Sequence, residues 1–207
     1  AAAQNPEMEI GALFARKEEK RKELCEKYQV PVSCGSYEKL LADESLDVLY
    51  LPLPNHLHYS FTKRALEAGK HVILEKPFTV TYAEAKELAE LAEAKNLILF
   101  EAITNQYNPN YEKVRELLPK VGDVKIVQLN YSQYSSRYDA FKQGIVAPVF
   151  DAEKAGGALM DLNVYNIHFV TGLFGEPKAV HYYPNMERGV DTSGILVMEY
   201  PSFQCVC

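Results

Sequence analysis

No apolar run in this chain approaches the length that crosses a bilayer, so no membrane partner is expected. Residues 1–6 carry no basic stretch followed by an apolar core, so no secretory signal is visible. Surplus positive charge is also missing. At a formal net charge of −6, the chain lacks the clustered Lys and Arg that a phosphate backbone requires, which argues against a nucleic-acid partner. The basic residues Arg16, Lys17, Arg21 and Lys22 are interleaved with Glu18, Glu19 and Glu23, the pattern of a solvated helix face. The four cysteines, Cys25, Cys34, Cys205 and Cys207, have no metal-binding spacing. Cys205 and Cys207, two apart on a strand-like segment, share a face but supply only two ligands. No metal is expected, and reduced thiols in a cytoplasmic protein are the default. Finally, none of the eleven glycines forms G-x-G-x-x-G. Residues 1–5 read as the tail of a helix and Cys207 ends a strand-like run, as in an internal piece of a longer chain.

What is present is ordinary globular composition, 47% hydrophobic and 24% charged, in 207 residues. Strand and helix patterns alternate through the first half. Residues 8–15, 30–32, 47–51, 71–75 and 97–100 read as strands; 17–28, 36–42, 56–68 and 81–95 read as helices. Thr81 followed by Glu84 forms a capping box, and Gly69 closes the helix before it. Such alternation with short connections implies a parallel, doubly wound sheet. The run His71-Val72-Ile73-Leu74 has no polar alternation and is expected to be buried on both faces. After about Gly122 the pattern changes: 124–134, 180–183 and 194–200 read as strands and 162–174 as a helix, so an open, mostly antiparallel sheet in a second α+β domain is expected. The boundary is placed within 102–122, dividing the chain into 1–110 and 111–207.

Glu75-Lys76-Pro77 follows the strand at 71–75, where parallel sheets bind their ligands, and Pro77 ends the strand. Taken alone, a Glu-Lys-Pro after a strand is more often a solvated surface ion pair. In the loop after 47–51, Pro52 and Pro54 stiffen the chain and Asn55 can cap the next helix; His58 reads as an ordinary helix residue. Gly156-Gly157 allows close backbone approach before Asp161, Tyr165 and His168, which at i, i+4 and i+7 share one helical face. A carboxylate, a phenol and an imidazole in one stripe are proton-transfer groups. An N-cap at Asp161 and a packing role for Tyr165 are the equal alternative.

In order along the chain, Pro54-Asn55-x-x-His58, Glu75-Lys76-Pro77, Glu101-Ala102 with Pro109 downstream, and Gly156-Gly157-Ala158-Leu159-x-Asp161-x-x-x-Tyr165 resemble the Gfo/Idh/MocA oxidoreductases over essentially the whole sequence. The resemblance is closest to the branch with tyrosine four residues after the aspartate, as in dihydrodiol dehydrogenases. It implies an α/β fold: a Rossmann-like doubly wound sheet, truncated by the missing first strand and glycine loop, then a substrate and oligomerisation domain. By the same resemblance, Lys76 polarises the reacting oxygen, Tyr165 is the general acid/base and Asp161 orients the substrate. Pro54, Asn55, His58 and Glu75, with Lys76, face the cofactor. A free phenol titrates at about 10 and an adjacent ammonium is expected to lower it. His168 and Arg137 are further substrate candidates. Two departures stand out: Asn163 replaces a usual glycine, and Gln106 an arginine. Arg16-Lys17 after the strand at 8–15, without an acidic residue, suits a 2′-phosphate, so NADP is favoured over NAD. The expected protein is an NAD(P)-dependent oxidoreductase of a sugar, polyol, dihydrodiol or related small molecule, working as a homo-oligomer. The alternative is a non-catalytic dinucleotide- or sugar-sensing protein on the same fold.

Overall fold

The computed structural model describes residues 5–15 and 17–207, and its chain falls into two compact units. The first comprises residues to Leu51 with Tyr59–Leu74 and Lys86–Phe100; the second comprises Pro52–His58, Glu75–Ala85 and Glu101–Cys207.

The elements of the first half of the chain follow the alternation of the sequence: β1 (Ala12–Phe14), α1 (Glu18–Tyr28), β2 (Val32–Cys34), α2 (Tyr37–Ala42), β3 (Val48–Leu51), α3 (His58–Glu67), β4 (His71–Leu74), α4 (Tyr82–Ala94) and β5 (Leu99–Glu101). α1 has Glu18 and Glu19 in its first turn and Lys27 in its last, with no buried residue, as the interleaved charges imply. α4 begins with the capping box: Glu84 N–H donates to Thr81 Oγ1 at 3.3 Å and Thr81 N–H to Glu84 Oε2 at 3.1 Å. The strands form two sheets, a parallel β1–β2 pair and a three-stranded sheet ordered β3-β4-β5, with β3 parallel to β4. Val72 and Leu74 are fully buried while His71 and Ile73 are half-buried. β4 therefore differs from the expected strand buried on both faces. Successive side chains point to opposite sides, and β3 alternates in the same way, its Val48 and Tyr50 exposed.

The second unit adds α5 (Pro109–Leu117), β6 (Ile126–Gln128), α6 (Tyr138–Lys142), α7 (Val164–Phe174), β7 (Ala179–Glu187), β8 (Val190–Glu199) and β9 (Gln204–Val206). Its sheet is ordered β6-β9-β8-β7, antiparallel at β7–β8 and β8–β9 and parallel at β6–β9. The inner face buries Leu196, Met198, Cys205 and Cys207 against Val170 and Ile167 of α7. Cys205 and Cys207 are free thiols 3.6 Å apart, filling core volume as small apolar groups. Two expectations change here. The strand expected over 124–134 is only three residues long, because its partner β9 supplies only three paired positions. The helix expected over 162–174 is preceded by a π-helical turn, Leu159–Asn163, before α7 begins.

Candidate active site

Lys76 leaves the end of β4 with its side chain 15% exposed. Its Nζ donates to the backbone O of Asp161 at 2.6 Å and to Asp161 Oδ1 at 2.8 Å, and lies 5.0 Å from the centroid of the Tyr165 ring. One ammonium thus gathers a carboxylate, a carbonyl and a phenol ring that the sequence separates by up to 89 positions. The π-turn accounts for the arrangement. Val164 N–H reaches back five residues to Leu159 O, widening the turn, and within it the Asp161 carbonyl accepts from Lys76. Asp161 and Tyr165 both meet Lys76 across a π/α junction, not along the uniform helical stripe read from the sequence.

The paired glycines fix that turn. A Cβ on Gly156 would stand 2.6 Å from the carbonyl oxygens of Pro148 and Val149. Gly157 has φ +121° and a Cβ there would stand 1.9 Å from Asp191 Oδ1. Asp191, at the start of β8, accepts the Leu159 N–H at 2.8 Å and the Tyr182 hydroxyl at 2.5 Å, so the β7–β8 hairpin anchors the π-turn directly.

The remaining sequence candidates separate. Pro54 precedes a 3-10 turn, Asn55–Leu57, and Asn55 Nδ2 donates to Ala155 O at 2.8 Å. Glu75 is half-buried, and its Oε2 accepts the Lys76 N–H at 3.3 Å. His58, expected at the cofactor, is fully buried; its ring nitrogens lie 2.8 Å from Pro77 O and 2.8 Å from Leu53 O. Both edges of the ring are engaged by backbone, so His58 ties two loops together and presents nothing to a ligand. His168, expected at the substrate, turns to Glu101, with 3.0 Å between Nε2 and Oε2. Arg137 is exposed and its side chain stands outside the cavity described below. Arg16 lies outside the described residues.

The two departures have structural uses. Asn163 Oδ1 accepts from Asn166 Nδ2 at 2.9 Å, which turns that side chain into its own helix. Gln106 donates to His168 O at 2.8 Å and Asn105 to Tyr165 O at 2.6 Å, so the 3-10 turn Thr104–Tyr107 holds α7 at the two residues of interest. Tyr131, which sequence reasoning passed over, packs its ring 5.4 Å from that of Tyr165. The only sequence signal was its place in a tyrosine-rich run after β6.

The expected depression of the Tyr165 phenol does not occur. Burial raises its pKa above the ordinary tyrosine value, and the Lys76 ammonium offsets this only in part, opposed by Tyr131, Glu75 and Asp161. Lys76 is itself neutralised at close range by Asp161, which weakens its pull on the phenol. Beside Asp161 opens a cavity of about 300 Å³, whose lining includes Tyr134, Tyr138, Phe150, Asn185 and Glu187.

Residues 1–103 match the family described as "Oxidoreductase family, NAD-binding Rossmann fold", and residues 111–206 match the "GFO/IDH/MocA C-terminal domain". The chain belongs to the Gfo/Idh/MocA oxidoreductase family. Among its relatives, a scyllo-inositol 2-dehydrogenase (NADP(+)) of Bacillus subtilis is 34% identical, over 100% of this chain and 63% of the relative. A trans-1,2-dihydrobenzene-1,2-diol dehydrogenase of Xenopus tropicalis is 33% identical, over 93% of this chain and 57% of the relative. The fold is that of the crystal structure of myo-inositol 2-dehydrogenase from Lactobacillus plantarum, which superposes with a TM-score of 0.84 at 17% identity, over 99% of this chain and 63% of that one. This Gfo/Idh/MocA chain therefore spans about three fifths of the length of the curated relatives it matches.

Proposed function

We propose that the whole protein is an NAD(P)-dependent oxidoreductase acting on a hydroxyl or carbonyl carbon of a sugar, polyol, dihydrodiol or related small molecule. The observation that carries this reading is Lys76, with its ammonium 2.8 Å from Asp161 Oδ1 and 5.0 Å from the centre of the Tyr165 ring. The residues fit a nicotinamide nucleotide. Segments 52–55 and 75–76 leave the carboxyl ends of adjacent parallel strands, the edge at which such sheets take dinucleotides. The donor and acceptor set there, Lys76 with Asn55 and Glu75, suits an amide and ribose hydroxyls. The nicotinamide, when bound, supplies or accepts the hydride.

The protein's part is orientation and proton movement. Asp161 holds the Lys76 ammonium by two bonds, which directs its remaining N–H toward a substrate oxygen. Tyr165, whose phenol is kept protonated by burial, donates to that oxygen in the reductive direction. In the oxidative direction it must first become phenolate, and the nearby positive charge of Lys76 stabilises that anion. NADP is the favoured cofactor: the basic pair Arg16-Lys17 supports it, as does the NADP(+) in the name of the Bacillus relative.

Division into a dinucleotide part (1–110) and a substrate part (111–207), a cytoplasmic location and a homo-oligomer complete the proposal. Self-association is supported by the exposed apolar side chains Ile126, Tyr183 and Ile195 on the four-stranded sheet. The test is steady-state turnover of the full-length protein with NADPH or NADP⁺. Tyr165→Phe and Lys76→Ala are each expected to lower kcat by about 10²–10⁴-fold, the usual contribution of a positioned acid or base. Undiminished turnover in both variants refutes the assignment.

A further inference from the structure

We propose that Asp191 is a positioning residue for proton transfer, acting through the π-turn to hold Asp161 on the Lys76 ammonium. The inference deepens the oxidoreductase reading above, on which its kinetic part rests. Asp161 sits in a turn that its own helix does not fully determine, because the first N–H groups of a helix have no partner one turn back. Here they are anchored from outside: Gly157 N–H donates to Val149 O at 2.8 Å and Leu159 N–H to Asp191 Oδ2 at 2.8 Å. Leu159 is also the residue whose carbonyl accepts the long bond from Val164 N–H, so Asp191 grips the chain where the widened turn begins. Two residues on, Asp161 presents its backbone O and its Oδ1 to Lys76 Nζ, at 2.6 Å and 2.8 Å. A shift at Leu159 is therefore passed to both bonds at once.

Asp191 is itself aimed. From the neighbouring strand β7, Tyr182 Oη donates to the same Oδ2 at 2.5 Å. Gly194 leaves room for that phenol: a Cβ there would stand 2.5 Å from Tyr182 Oη. Burial first, and the bond to Asp191 next, raise the Tyr182 phenol above the ordinary tyrosine value, so it remains the donor. One oxygen of Asp191 thus takes two donors from two different elements, a role that an amide oxygen can fill and an alanine cannot. Asp191 lies outside the lining of the cavity beside Asp161, so its effect on the reaction runs through the turn and not through contact with substrate.

The experiment compares Asp191→Ala, Asp191→Asn and Tyr182→Phe in the full-length protein with Leu88→Ala, a truncation of a fully buried α4 residue outside this chain of contacts. The first readout needs no turnover: reductive methylation of Lys76 by formaldehyde and cyanoborohydride, followed by peptide mass spectrometry. An ammonium held by two acceptors reacts slowly, and one released from Asp161 reacts faster. Lys76 is expected to methylate about fivefold faster in Asp191→Ala, the value of one lost hydrogen bond, and about twofold faster in Tyr182→Phe. Asp191→Asn and Leu88→Ala should stay at the wild-type rate. The second readout is kinetic. Asp191→Ala is expected to lower kcat by about 10–10²-fold, the usual effect of misplacing a reacting group, with the NADPH Kd from fluorescence titration within about twofold. Asp191→Asn should recover most of that loss. Should Asp191→Ala fail to fold, Tyr182→Phe decides. Unchanged methylation in the Asp191→Ala and Tyr182→Phe variants, an equal rise in Leu88→Ala, or an unaltered kcat in Asp191→Ala overturns the proposal. The expected methylation pattern in a protein that turns over no hydroxyl or carbonyl substrate refutes the oxidoreductase reading and leaves the hold of Asp191 on the Lys76–Asp161 pair standing.

Discussion

Replacing Gly157 by alanine is expected to damage this protein far more than one added methyl normally does. The glycine sits at φ +121°, a conformation that side chains rarely adopt, and the new Cβ would stand 1.9 Å from Asp191 Oδ1. Holding a non-glycine residue in such a region costs about 1–3 kcal/mol. The carboxylate must also withdraw, and the Leu159 N–H that it accepts at 2.8 Å loses its partner, at about 1–3 kcal/mol for an unsatisfied group. The sum, about 2–6 kcal/mol, is a large share of the 5–15 kcal/mol typical of whole-protein stability. Urea unfolding followed by circular dichroism measures it as a lower midpoint at unchanged slope. A double-mutant cycle isolates the cause. In an Asp191→Ala background the collision is gone, so Gly157→Ala there should cost only its backbone term, a coupling of about 1 kcal/mol or more. A loss under about 0.5 kcal/mol for Gly157→Ala alone, or strict additivity in the cycle, refutes the claim that this contact sets the turn.

Two further outcomes follow from the geometry. His58→Ala should cost about 2–4 kcal/mol, because it opens a buried cavity and removes the ring that lies 2.8 Å from the carbonyls of both Leu53 and Pro77; a thermal midpoint within a degree of wild type refutes the clamp. Tyr165 is held protonated in the folded state, so the stability it contributes is present below the ordinary tyrosine range near pH 10 and is lost as pH rises through the higher folded value. The difference in phenolate absorbance between wild type and Tyr165→Phe should show one phenol titrating above that range; one titrating below it means that Lys76 outweighs burial.

Local rules carried the first half of the chain because its elements are set by local chemistry. The Thr81/Glu84 box and the positive φ of Gly69 mark helix ends that lie within a few residues of their expected places. The strand expected over 124–134 is longer than the observed Ile126–Gln128, because ladder length depends on a partner far along the chain, which no window on that segment contains. The clustering of Lys76, Asp161 and Tyr165 was legible through the resemblance and through motif order. The details that decide their chemistry were not. A π-turn differs from an α-turn by one residue of hydrogen-bond offset, and no periodicity in Leu159–Asn163 announces it. His58 and His168 carry side chains that could serve a ligand, yet one binds two carbonyls and the other Glu101. Only the fold brings those partners near. The phenol's shift escapes the sequence for a related reason: it depends on burial and on three groups around the ring that oppose Lys76, none of which adjoins Tyr165 in the chain.

The widened turn also determines where this molecule is most easily disabled. Deleting Leu162 or Asn163 would let the chain close an ordinary α-helical turn, and α7 would keep its packing. Everything upstream would then rotate by about 100° around the axis, carrying Asp161 away from Lys76. The shortened protein would lack its central ion pair and, with the Leu159 N–H withdrawn from Asp191, would also be less stable. The weak point of the site is thus its spacing more than its composition.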